Sequence, residues 1–249
     1  MTGTADRPVV LVTGAARRIG AMLVQTLHAA GADVAIHVKT SLAEARLLAQ
    51  SLNLKRPHSV HVFQADLLVL NAPQTLIGDV ITQFGRLDGL VNNASSFFPT
   101  PIGKIDEPAW NDLVGSNFKA PLMLSQAAAP HLKQTQGAIV NITDIHAERP
   151  LAGYPLYSAA KGALLTLTRA LAVELAPEVR VNAVAPGPIL WPDDGQFPAD
   201  ERNTIIEHTL LKRAGNPSEI ANAVKFLLLE ATYVTGQVLN VDGGRTAHL

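Results

Sequence analysis

Residues 8–31 read PVVLVTGAARRIGAMLVQTLHAAG, and the fold follows from them. Residues 8–13 are an apolar, largely β-branched run, the pattern of a strand covered on both faces. The run stops at Gly14. Past the loop, Ile19, Met22, Leu23, Leu27 and Ala30 recur at spacings of three and four, the stripe of an amphipathic helix. Gly31 then supplies the left-handed residue with which helices often end. The same alternation continues downstream. Strands are predicted at 33–39, 59–64, 87–92, 137–143, 179–184 and 237–241, and helices from a Ser41 cap to about residue 54 and at 73–84, 118–134, 155–175 and 218–229, the last capped by Ser218. Parallel neighbours need crossover connections, so seven strands with helices between them predict an α/β, doubly wound, Rossmann-type domain. Its seven-stranded parallel sheet would carry helices on both faces, as one domain over 1–249. Pro186, Pro188, Pro192 and Pro198 mark an irregular stretch, expected to be a flexible flap over an active site.

Composition narrows the function. Of 249 residues, 47% are hydrophobic and 16% charged, well below the usual quarter, which suits a doubly covered sheet and subunit interfaces. With 20 basic and 21 acidic side chains the net charge is −1, so no electrostatic footprint for nucleic acid or an anionic membrane is expected. The absence of cysteine excludes disulfides, thiolate metal sites and a cysteine nucleophile. No metal is expected: the eight histidines form no HExxH, and His58 and His61, read as one strand, would point to opposite faces. Neither an apolar leader nor a run of about 18 apolar residues is seen, so a cytoplasmic location is expected.

Three features carry chemistry. The loop TGAARRIG at 13–20 joins strand to helix, where small residues let backbone amides and a helix N-terminus meet a phosphate. That points to a dinucleotide, held by Gly14, Arg17, Arg18, Ile19 and Gly20. Dinucleotide folds that select NAD place an acid at the end of the second strand, about 20 residues on. Here that position offers His37, Val38, Lys39, Thr40 and Ser41. Arg17 and Lys39 could pair with a 2′-phosphate, which favours NADPH/NADP, although Lys39 could equally be a solvated strand end. Tyr157 and Lys161 lie four apart on one helix face, and the ammonium is expected to lower the phenol pKa toward useful acid–base range.

With these residues in view, the chain resembles the short-chain dehydrogenase/reductase family over nearly its whole length. The marks are TGAARRIG, Asp66 after strand three, Asn92-Asn93-Ala94 after strand four, Asn117, the Tyr157/Lys161 pair and Pro186-Gly187. Three departures stand out: Arg18 for the middle glycine, Ser95 after Asn93-Ala94, and Asp144 where the family keeps a serine thirteen residues before the tyrosine. All three resemble the pteridine reductase subgroup, as does the run Ser95-Ser96-Phe97-Phe98-Pro99. The resemblance implies NADPH-dependent reduction of a dihydropterin or dihydrofolate, with the oxidised pterin as a further substrate, by a homotetramer. It implies a proton-donating pair of Tyr157 and Asp144, a relay through Asn117, and Lys161 on the ribose hydroxyls. Asp66, Leu67, Asn93, Ala94, Ser95, Pro186 and Gly187 would complete the cofactor site, Asp66 on the adenine. Phe97 would stack on the pterin, with Arg18, Ser95 and Pro188 also contacting substrate. Two other readings stay open: a general carbonyl or 3-oxoacyl reductase, which would use a hydroxyl at position 144, and a non-catalytic NADPH-binding regulator, which would lack the Tyr/Lys pair.

Overall fold

The structure is a computed structural model that describes residues 7–191 and 197–247. Its strands are β1 (Val9–Thr13), β2 (Asp33–Val38), β3 (Val60–Gln64), β4 (Gly89–Asn92), β5 (Ala138–Ile142), β6 (Arg180–Pro186) and β7 (Val238–Val241). They form one sheet in the order β3-β2-β1-β4-β5-β6-β7, all neighbours parallel. The helices are α1 (Arg18–Ala29), α2 (Leu42–Asn53), α3 (Ala72–Phe84), α4 (Glu107–Val114), α5 (Ala120–Thr135), α6 (Pro155–Leu175), α7 (Ala199–Glu207) and α8 (Pro217–Lys225). Successive side chains of a strand point to opposite faces. Val10 and Val12 therefore pack with α1, α2 and α8, while Val9 and Leu11 pack with α3, α5 and α6. Among the described residues no helix is long and apolar enough to cross a membrane.

Chain order reverses between β1 and β4, so the loops leaving their carboxyl ends diverge and leave a crevice there. Helix α5 shows how packing outweighs local preference in these layers. Pro130 lies inside it, at a cost of about 3 kcal/mol in a free helix. Burial of Leu124 and Leu132, about 1.5–3 kcal/mol each, offsets that cost.

Several expectations need correction. Helices α4 and α7 were not predicted; α4 is capped by Asp106, whose carboxylate accepts the Ala109 N–H at 2.9 Å. The helix expected from residue 118 begins at Ala120, after a π turn over Gly115–Lys119. Asn216, not Ser218, caps α8, in a box closed by Glu219, because Pro217 already occupies the first turn. Ser41 stands at the N-cap of α2 but makes no capping bond with its side chain. His58 lies outside β3, in a turn with φ +60°, so it does not alternate with His61. Ala30 is exposed, and Val24 and His28 complete the buried face of α1 instead. Of the expected flap, Pro192 lies outside the described residues.

Candidate active site

The β1–α1 loop is clamped to the end of β4. Thr13 Oγ1 accepts the N–H groups of Asn93 (2.9 Å) and Ala94 (3.0 Å), and Asn93 Nδ2 donates to the carbonyls of Thr13 (2.9 Å) and Gly14 (3.0 Å). Gly14 adopts φ +60°, and a Cβ there would lie 2.8 Å from the Ala94 Cα. A Cβ on Gly20 would strike the Gly14 carbonyl oxygen. Only glycine lets the loop lie this close to both neighbours, with the first amides of α1 facing the cleft. Arg18 keeps a glycine-like φ of +53°, and its guanidinium donates to the Leu190 (2.9 Å) and Trp191 (3.3 Å) carbonyls. His37 is buried, which lowers its pKa and keeps it neutral. With its proton on Nε2 it donates to the Ala65 carbonyl (3.1 Å) and accepts the Gly14 N–H at Nδ1 (3.4 Å). It therefore braces the loop from behind.

Two cations face the far end of the loop. Lys39 Nζ sits 2.9 Å from Asp66, whose other oxygen accepts the Leu68 N–H at 3.0 Å. Lys39 first, and that N–H second, hold the Asp66 carboxyl below its usual range. Arg17 approaches Glu44 at 3.9 Å. Pairs this exposed are worth at most about 1 kcal/mol.

Helix α6 presents Tyr157 and Lys161 to the middle of the cleft. The Tyr157 hydroxyl donates to Asp144 Oδ2 at 2.7 Å. Asp144 caps the short turn Ile145–Ala147, its Oδ1 accepting the His146 N–H at 2.8 Å, and this aims Oδ2 at the phenol. Lys161 Nζ donates to the Ile142 carbonyl at 2.9 Å and lies 5.8 Å from the Tyr157 ring centroid. The expected lowering of the phenol pKa does not occur. Burial first, then the Asp144 charge and hydrogen bond, push Tyr157 well above its usual value. The phenol therefore keeps its proton at neutral pH. Burial lowers Lys161 to about 8.

Asn117 sits in the π turn, a departure from regular helix common at functional sites. Wholly buried, it stands behind the cleft wall rather than in it. Its Oδ1 accepts the Ser95 hydroxyl at 2.8 Å, and its Nδ2 donates to the Ser96 (2.9 Å) and Leu113 (3.0 Å) carbonyls. Every other residue expected at the site lines a single cleft of about 760 Å³. Phe97 is stacked on Tyr154 (centroids 4.7 Å, planes 11° apart), meets Tyr157 edge-on at 4.8 Å, and faces Phe197 at 6.3 Å. A flat ring needs roughly 7 Å between two others at van der Waals contact, so no ring fits between Phe97 and Phe197 as they stand.

The sequence reading missed Asp112, Trp191, Phe197 and Arg245, which also line the cleft. They come from α4, the segment after β6 and the chain's last turn, and no local motif joins them. The signal for α4 was present in Asp106-Glu107-Pro108, a helix-start pattern.

Comparison with known proteins agrees with this geometry. A family profile described as enoyl-(acyl carrier protein) reductase matches residues 14–246. The chain is 37% identical to pteridine reductase 1 of Leishmania tarentolae, over 98% of each chain. It is 35% identical to a putative ketoacyl reductase of granaticin polyketide synthase from Streptomyces violaceoruber, covering 100% of this chain and 99% of that one. It is also 35% identical to a 3-oxoacyl-(acyl-carrier-protein) reductase of Staphylococcus epidermidis, covering 94% and 97%. A parallel sheet with a glycine loop at its switch point, and a tyrosine–lysine pair on α6 lining the same cleft, thus coincide with similarity to reductases over nearly the whole chain: the chain belongs to the short-chain dehydrogenase/reductase family of oxidoreductases.

Proposed function

We propose that this protein is an NADPH-dependent pteridine reductase, converting a dihydropterin or dihydrofolate to its tetrahydro form and accepting the oxidised pterin as well. The observation that carries this reading is the 2.7 Å hydrogen bond from Tyr157 to Asp144. A carbonyl oxygen needs one neutral donor beside the tyrosine. A pterin offers ring nitrogens and an exocyclic amine, which a carboxyl group can meet as donor or acceptor. Phe97, half-buried at the mouth of this pair, adds a flat apolar face of the right shape for a fused ring. Entry of the pterin displaces Phe197 from that face.

The loop at 13–20 fits a dinucleotide, because its two glycines leave the space that side chains would fill. When bound there, NADPH supplies the hydride that reduces the C=N carbon. Arg17 and Lys39 bind the 2′-phosphate, and Lys161 binds the ribose hydroxyls. Tyr157 gives its proton to the adjoining ring nitrogen, and Asp144 passes it a replacement proton taken from solvent. Ser95, held by Asn117, orients cofactor and substrate together.

Two expected results bear on the cofactor. NADPH is preferred to NADH by at least about tenfold, and Lys39→Ala raises the Michaelis constant for NADPH much more than for NADH. Steady-state kinetics with both cofactors check this, and equal use by the parent protein counts against it. The second concerns pH. Lys161 is charged below about 8 and loses its proton above, so turnover falls as pH rises through about 8. A pH–rate profile flat from 7 to 9.5 would show that the ammonium plays no part.

A general 3-oxoacyl reductase is the second reading, favoured by the 35% identity to two such proteins. NADPH oxidation followed with dihydrobiopterin, dihydrofolate and a β-keto ester separates the two. Turnover of the keto ester alone overturns the pteridine reading.

A further inference from the structure

A second cavity, of about 240 Å³, adjoins the catalytic cleft. Ile145, His146, Leu151 and Arg245 line both, so the two share a wall next to Asp144. The smaller one is basic. His146, Arg149, His208 and Arg245 line it, and among the described residues no carboxylate does. In a chain with only 20 lysines and arginines and net charge −1, that concentration is not explained by the overall charge.

The fold holds Arg245 in place. Asp242, buried at the end of β7, accepts the N–H groups of Gly244 (2.9 Å) and Thr246 (2.8 Å) and the Thr246 hydroxyl (2.7 Å). These bonds close the turn that carries Arg245 and occupy the Asp242 carboxylate. The Arg245 guanidinium itself is half-buried and has no hydrogen-bond partner among the described residues. Asp144 and Asp242 are near enough to be felt, and neither pairs with it. No Arg245 nitrogen is fully buried, so its five donors stay open to a ligand that supplies acceptors. Opposite it, Arg149 donates one N–H to the Thr246 carbonyl (3.1 Å), and its backbone carbonyl takes up His146 Nδ1 (2.8 Å). His208 Nδ1 is bound to the Thr204 carbonyl at 2.8 Å. In each imidazole Nδ1 is the donor and Nε2 an acceptor, so the donors offered to an anion are those of the two arginines.

We infer that the second cavity is a subsite for an anionic tail on the substrate, carboxylate or phosphate, with Arg245 at the junction and Arg149 along the wall. For the head group this rests on the pterin reading, and the tail is then the glutamate of a dihydrofolate. Under the rival reading the same cations would meet the phosphate of a phosphopantetheine thioester. The subsite thus separates conjugated substrates from bare rings, a distinction that Tyr157, Asp144 and Phe97 do not make.

The test compares Michaelis constants of dihydrofolate and dihydrobiopterin in the parent, Arg245→Gln and Arg149→Gln, with a 3-oxoacyl phosphopantetheine thioester as a third substrate. Arg149 is exposed, so its replacement leaves folding intact if Arg245→Gln does not. The ratio of the dihydrofolate constant to the dihydrobiopterin constant is expected to rise about tenfold in Arg245→Gln and severalfold in Arg149→Gln. A ratio unchanged in both variants overturns the subsite. If neither pterin is turned over and the thioester constant rises instead, the subsite stands with phosphate as its anion, and the pteridine reading falls alone.

Discussion

Tyr157→Phe is expected to lower turnover by about a hundredfold or more, the usual scale of a lost proton donor, while NADPH binding and thermal stability stay close to those of the parent. Only the hydroxyl goes. The ring keeps its edge-on contact with Phe97 and its place among Leu113, Tyr154 and Leu156. The loss also removes the hydrogen bond to Asp144, whose second oxygen remains held by the His146 N–H. The carboxylate is therefore neither moved nor left wholly unpaired, so the effect reports chemistry rather than collapse of the site. Single-turnover rates with NADPH and dihydrobiopterin, beside a cofactor-binding titration, make the measurement. A variant that turns over within a few-fold of the parent removes Tyr157 from the proton path.

Asp144→Ser is expected to reduce pterin turnover by a similar factor and to leave reduction of a β-keto ester equal or improved. Serine supplies the hydroxyl expected here of a carbonyl reductase, but it does not take up and release a proton near neutral pH as a carboxyl group does. It also removes the negative charge that, after burial, does most to raise the Tyr157 pKa. Asp144 also raises Lys161 against the lowering by burial, so the fall in turnover near pH 8 should move to lower pH in the variant. Both substrates are measured in parent and variant across pH 5–9. If the serine variant reduces dihydrobiopterin as well as the parent does, the pteridine assignment is wrong.

The electrostatic account of the Tyr157/Lys161 pair shows where sequence spacing misleads. Four residues apart on a helix does put both side chains on one face. It does not say how close the ammonium comes to the phenol oxygen, or what else is near. Asp144 is thirteen residues upstream and arrives through β5 and the turn it caps; its proximity, together with full burial, reverses the sign of the pKa shift. The same applies to Asp66, which no local pattern links to Lys39 but which the β2–β3 pairing sets 2.9 Å from it.

What the sequence determined by itself is the element pattern and the register of the main motifs. Strand-length apolar runs, helical stripes and the glycine loop are local signals, since hydrophobic period and backbone freedom act over a few residues. They were sufficient for seven strands, for a parallel sheet with helices on both faces, and for α6 over Pro155–Leu175. Helix α7, with its polar surface, and the π turn at Gly115–Lys119 escaped, because neither has a strong apolar period of its own. Tertiary structure alone decided which of the marked residues meet. It set Asn117 behind Ser95, placed Phe197 against Phe97, and brought Arg245 from the last turn to the wall shared by two cavities. Those contacts join segments 20 to 100 residues apart, and their geometry depends on how the layers pack around the switch point between β1 and β4, which no stretch of chain encodes on its own.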